Sequence, residues 1–201
     1  MADEFFTIRA GSVTTSDWGD YGDMLQHGMA HRRTDGRLAL ERTGPYVPPI
    51  TMPGIGDVVV TSDTRKLLEA SGLTGFSFLS VEKVRIVELH WESWDSNAEE
   101  PAYLPESGEP EDYILKKPHS KKTAAAMGEL WEFVVPPTVK IIRPARIVET
   151  HYDLKIDLSS WRGDDFFRSS DYGSMLFTKR AQEWLSKHLG QYVSFDSFPT
   201  T

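Results

Sequence analysis

The sequence predicts an α+β protein with a mixed or antiparallel sheet, few helices and two strand–helix–strand units. Three observations carry that expectation. β-Branched and aromatic runs such as "DVVVT", "FSFLSV" and "EKVRIVELHW" are bounded by glycine, proline and aspartate, as strands are. Two short amphipathic stretches are each introduced by a threonine cap and closed near a glycine. Finally, sliding the chain by 117 positions superposes Thr61 on Thr178, Leu67 on Trp184, Leu68 on Leu185, Ser77 on Ser194 and Phe78 on Phe195, a weak internal repeat.

In chain order, "FFTIRA" and "RLALER" read as strands around "SDWGDYGDMLQHGMAHRRTDG", which combines turn residues with a short helix over Asp23 to His31. "GPYVPPITMPGIG" holds too many prolines and glycines for a continuous element and reads as an ordered connection. "DVVVTSDTRKLLEASGLTGFSFLSV" gives strand, cap, helix ending near Gly72, and strand. "KKTAAAMGELWEF" favours a helix, and "TVKIIRP", "ARIVETHY" and "YDLKIDLS" favour strands. In the last helix, Ala181, Trp184, Leu185 and His188 share a face, which predicts that Trp184 and Leu185 are buried. The expected organisation is a single domain, 1–201, with pseudo-repeated halves 1–94 and 113–201 joined by an acidic stretch, 95–112.

The 201 residues suffice to bury a sizeable core, and 39% hydrophobic with 26% charged content is ordinary for a globular chain. No apolar run approaches the length of a membrane-spanning helix, and "MADEFFTIRAG" lacks the basic start and apolar centre of a secretory signal. With no cysteine, disulfides, thiolate metal sites and cysteine nucleophiles are excluded, in keeping with a cytoplasmic location. A net charge of −8 argues against nucleic acid as a partner, because phosphate backbones are bound through lysine and arginine.

The charge is unevenly placed. From Glu88 to Asp112 the chain carries nine acids and no lysine or arginine, whereas Tyr113 to Arg146 holds seven basic residues against Glu129 and Glu132. An uncompensated acidic stretch attracts a basic surface, and aromatic neighbours can anchor it, so the candidate partner-binding residues are Trp94, Asp95, Glu99, Glu100, Tyr103, Leu104, Glu106, Glu109, Glu111 and Asp112. A merely solvated loop has the same composition.

Catalytic signatures are incomplete. His27 and His31 in "HGMAH" are four apart, as a helical metal pair is, and with Asp17, Asp20 or Asp23 could form a metal-assisted hydrolytic site, yet no glutamate follows His27 and no third ligand is identifiable. In "GIGDVV" the glycines precede the strand, the reverse of a dinucleotide loop. Neither G-x-S-x-G nor G-x-x-x-x-G-K-[ST] occurs. Asp164 and Asp165 are adjacent and would face opposite sides of an extended chain, so they read as a turn or helix start leading Phe166 and Phe167 into the core. No cofactor and no metal site is expected.

"VVVTSDTRKLLEASGLTGFSFLSV" and "DDFFRSSDYGSMLFTKRAQEWLSKHLGQYVSFDSF" resemble two blocks of bacterial proteins related to the double-CxxCG-motif family and of neighbouring immunity families of polymorphic toxin systems. The likeness covers about a third of the chain. The cysteine motif is absent, so no metal role carries over. The resemblance implies a small cytoplasmic bacterial protein that binds and neutralises a cognate toxin by direct contact, without catalysis of its own.

Overall fold

The structure is a computed structural model that describes residues 4–11, 19–93, 110–143, 154–170 and 172–199. The chain opens with β1 (Phe5–Ala10), α1 (Gly19–His27), β2 (Met29–Arg32), β3 (Leu38–Gly44), β4 (Ile50–Gly54), β5 (Asp57–Thr61), α2 (Ser62–Glu69), β6 (Ser77–Ser80) and β7 (Glu82–Glu88). After α3 (Pro110–Lys116) and α4 (Lys121–Ala126) come β8 (Leu130–Val134), β9 (Pro137–Val139), β10 (Ile141–Ile142) and β11 (Lys155–Ile156). It closes with β12 (Phe166–Ser169), β13 (Tyr172–Thr178), α5 (Lys179–Leu189) and β14 (Val193–Phe198).

Both strand–helix–strand units form, and they start in the same way. The Thr61 hydroxyl caps α2 by accepting the Thr64 N–H, and 117 positions on the Thr178 hydroxyl caps α5 by accepting the Ala181 N–H. In each unit the two strands flanking the helix run in the same direction, with one antiparallel strand between them. The first sheet has the order β4-β5-β8-β6, and the second contains β12-β13-β1-β14 with β9 added beside β12.

The registers coincide. Val60 lies opposite Ile50 and Trp131, as Phe177 lies opposite Phe166 and Phe6. Phe78 faces Phe133, as Phe195 faces Ile8. The middle strand of the first sheet, β8, follows the 95–112 stretch, and that of the second, β1, stands near the N-terminus, so neither unit is continuous in sequence.

Alternation along these strands buries both faces. Val58, Val60 and Phe133 of the first sheet, with Leu68 of α2, share one core with Phe166, Met175 and Phe177 of the second and with Ala181, Leu185 and Leu189 of α5. On the opposite face of the first sheet, Val59 and Leu130 pack with Leu38, Leu40, Ile86 and Met127 of an appended sheet, β2-β3-β7, and of α4 and its end. The corresponding positions of the second, Leu176 and Phe5, pack with Val139, Ile141, Ile156 and Phe198. The two units also meet at a tight seam. Phe166 donates its N–H to the Thr74 carbonyl at 3.0 Å, and Gly75, with φ +89, lies so close to the Phe166 carbonyl that a Cβ would sit 2.0 Å from it.

Some expectations need correction. Leu185 is buried but Trp184 is only partly so, its ring stacked on His188 at 4.4 Å between centroids; its counterpart Leu67 is exposed, while Leu68 is buried. The helix expected across "KKTAAAMGELWEF" stops at Ala126, because Gly128 takes φ +70 and Leu130 to Val134 become the middle strand β8. The strand read in "ARIVETHY" lies outside the described residues.

Candidate functional site

Of the expected partner-binding residues, Trp94, Asp95, Glu99, Glu100, Tyr103, Leu104, Glu106 and Glu109 lie outside the described residues. The segments on either side of them are well placed. Leu89, just after β7, donates its N–H to the Gly44 carbonyl at 2.8 Å, and a 3-10 turn at Trp91–Ser93 follows, closed by the Ser93 hydroxyl on the His90 carbonyl at 2.7 Å. On the far side, α3 seats its fully buried Ile114 and packs on α1, β3 and β7, while Arg85 of β7 donates to the Leu115 carbonyl near its end. The acidic stretch therefore leaves from and returns to the same appended sheet. Glu111 and Asp112 stand in the first turn of α3, where carboxylates suit the helix N-terminus, and Asp112 accepts from Lys116 at 2.7 Å.

The hydrolase alternative placed His27 and His31 on one helix face, and the structure separates them. α1 ends at His27 because Gly28 adopts φ +80 while Arg42 of β3 passes against it, a Cβ on Gly28 falling 2.4 Å from that of Arg42. His31 is carried to an exposed position on β2. In the buried His27 ring Nδ1 accepts the Met52 N–H at 2.8 Å, which leaves the proton on Nε2; that nitrogen lies 3.2 Å from Asp23 Oδ1 but makes no hydrogen bond to it. Burial first, then the nearby Arg42 charge, pushes this imidazole down to about 4, so it is neutral at pH 7. Asp17 and the side chain of Asp20 lie outside the described residues, and among the described residues no group of three or more histidines and carboxylates could hold a metal ion.

Arg42 is the residue that sequence reasoning missed. It is 0% exposed, its Nε donates to the Thr43 carbonyl at 2.9 Å and one Nη to the Tyr46 carbonyl at 3.4 Å, while Nη1 has no hydrogen-bond partner. Burial pushes the guanidinium down to about 9. Beside it the Tyr46 hydroxyl lies 3.3 Å from that of Tyr192, and burial together with that hydrogen bond pushes Tyr46 up to about 12. Neither an accessible base nor an activated nucleophile results. The only available signal was an arginine in "LALERTG", whose strand is buried almost throughout, and alternation cannot mark an inward-facing charge in such a strand.

The remaining charged clusters join elements together. Asp165, buried, accepts from the Thr74 N–H at 3.0 Å, the Thr178 hydroxyl at 3.1 Å and Arg180 at 3.1 Å, which ties the end of one unit's helix loop to the cap of the other's helix. Asp164 contributes its carbonyl to Trp161 Nε1 at 3.0 Å, so the adjacent acids serve different contacts. Arg168, close in sequence to those acids, donates instead to the Gly56 carbonyl. Glu132, buried on β8, receives Arg32 at 2.6 Å, and the same guanidinium reaches Asp57 at 2.7 Å, linking β2 to the first sheet.

Comparison with known proteins found no family model that matches this chain and no match among curated proteins. The chemistry of the chain itself carries the functional reading.

Proposed function

We propose that the protein is an immunity-type binding protein that neutralises a cognate bacterial toxin by direct contact in the cytoplasm, without catalysis of its own. The observation that carries this reading is the nine-acid stretch from Glu88 to Asp112, which has no lysine or arginine and whose flanks are held on one sheet. Such a stretch attracts a cationic partner over several ångströms, raises the encounter rate and rejects acidic surfaces. Trp94, Tyr103 and Leu104 supply the apolar anchors that tight binding needs beyond charge. The resemblance of the two strand–helix–strand blocks to immunity families supports the same class. The hydrolase reading is weakened by the end of α1 at Gly28, which parts the buried His27 from His31, exposed on β2.

Protection of cells tests this directly. Co-expression with the toxin encoded beside its gene should rescue growth, and neutral replacements of Glu99, Glu100, Glu106, Glu109, Glu111 and Asp112 should reduce rescue while leaving the fold intact, with only a small drop in the thermal transition from the lost carboxylates at the start of α3. Full rescue by that variant would remove the acidic stretch from the interface. Turnover by the purified protein that is lost in His27→Ala and His31→Ala would restore the hydrolase.

A further inference from the structure

A second feature stands apart from the acidic stretch and does not depend on it. Along β9, the outer strand of the second sheet, an open groove of about 500 Å³ runs between that strand and the 3-10 turn Leu158–Ser160. Its lining is mostly polar, with Pro137 and Val139 as the apolar contribution.

Two exposed cations stand on it, Lys140 and Arg162, and neither forms an ion pair among the described residues. Arg9, Arg32, Arg33, Arg37, Arg65 and Arg180, by contrast, each meet a carboxylate. Lys140 belongs to the basic run that reverses the sign of the acidic stretch, and the toxin-binding reading gives that run no role.

The wall is fixed by its own hydrogen bonds. The Ser160 hydroxyl accepts the Lys140 N–H at 2.9 Å and donates to the Asp157 carbonyl at 2.6 Å, and the Asp157 N–H donates to the Lys140 carbonyl at 3.0 Å. Strand and turn are therefore locked together before any ligand arrives, which lowers the ordering cost of binding. The one acid on the groove, Asp157, is turned to its own cap, with a single carboxylate oxygen accepting both the Ser159 N–H at 3.0 Å and its hydroxyl at 2.6 Å. Its opposition to an incoming anion is reduced accordingly. Thr138 and Ser170 line the same groove, and their hydroxyls make no hydrogen bond among the described residues.

We propose that this groove binds a small phosphorylated molecule through its phosphate group, held by Lys140 and Arg162 with the Thr138 and Ser170 hydroxyls as further donors. Cations are rejected by the two basic side chains. A planar carboxylate has two oxygens and one charge to offer, whereas a phosphate monoester has three terminal oxygens and close to two charges, which suits two cations and two hydroxyls facing one space. The volume lies within the range of small-molecule sites and leaves room for the remainder of the molecule. Because the chain as a whole carries −8, its long-range field repels such a ligand and binding is local.

The test is a titration of the full chain with inorganic phosphate, with chloride exchanged to hold ionic strength constant, followed by backbone amide resonances. Saturable shifts are expected at Ser159, Ser160, Arg162 and Ser170. The Lys140→Ala, Arg162→Ala double variant should bind about tenfold or more weakly, since each charge-assisted contact contributes on that scale. Lys121→Ala with Lys122→Ala, which removes the same charge from α4, should leave the affinity unchanged, and the spectra themselves report whether each variant is folded. Non-saturating shifts, or equal weakening in both double variants, would overturn the site. Acetate saturating the same resonances with equal affinity would overturn the assignment to phosphate.

Discussion

The two four-strand units invite comparison because they agree where the sequence does not. Val60 and Phe177 differ in size, Trp131 and Phe6 in chemistry, and Glu132 and Thr7 in charge, yet each pair occupies one register position in equivalent sheets. Both helices start on a threonine cap, and both units turn an inner face to the shared core and an outer face to an appendage. The appendages are what differ. The first unit carries β2-β3-β7, α1, α3 and α4, and with them the acidic stretch; the second carries β10-β11 and the polar groove. The repeated frame thus forms the shared core, and the flanks of the acidic stretch and the polar groove stand on its unrepeated parts.

The largest expected effect probes the shared core from each side. Phe177→Ala should cost about 3–5 kcal/mol, because a fully buried aromatic at the contact of both units is lost. The equivalent change, Val60→Ala, should cost about 2 kcal/mol. Denaturant titration should show one shared transition in both variants. Two separated transitions would mean that the units fold independently and that the common core is not cooperative.

Next in size is a pH effect confined to the first unit's appendage. His27 faces Asp23 and the Arg42 charge, and its folded value of about 4 lies below the unfolded 6.5. The unfolded chain then binds the proton more readily, so the contribution of neutral His27 is complete above pH 6.5 and is lost as pH falls toward 4, a change of about 3 kcal/mol. His27→Asn should be less stable at pH 7 and should show a shallower fall in denaturant midpoint between pH 6.5 and 4. An unchanged slope would place the imidazole in water.

A smaller effect exchanges one unit's solution for the other's. Arg32→Ala leaves the Glu132 carboxylate buried without its guanidinium and should cost about 1–3 kcal/mol. Adding Glu132→Thr, which installs the residue type found at the matching position of the second unit, should recover most of that loss in a chemical denaturation measurement. Failure to recover would show that the ion pair does more than satisfy a buried charge.

What was legible in the sequence was local. The threonine caps, the helix lengths and the strands "DVVVT" and "YGSMLFT" have signatures within a few residues, and the 117-position offset followed from them. Strand partnership was not legible. Nothing in "FFTIRA" or "LWEFV" marks them as middle strands of sheets whose other members lie across the chain, nor does any local pattern announce the parallel pairing of β3 with β7 or of β9 with β12. The His27–His31 spacing misled because a single glycine between them ends the helix. Of the groove, the sequence showed only a surplus of lysine and arginine, since Lys140, Arg162 and Ser170 come together through the parallel addition of β9 to the sheet.

The central claim, that this acidic stretch recognises a cationic toxin, is tested most directly by the salt dependence of association. Rates should be measured between the purified protein and the toxin domain at rising ionic strength, for the wild type and for the variant neutralised at Glu99, Glu100, Glu106, Glu109, Glu111 and Asp112. The account predicts a fast wild-type rate at low salt that falls steeply as charge is screened, and a slower, flatter profile for the variant that converges with the wild type at high salt. Superimposable profiles for the two proteins would contradict it.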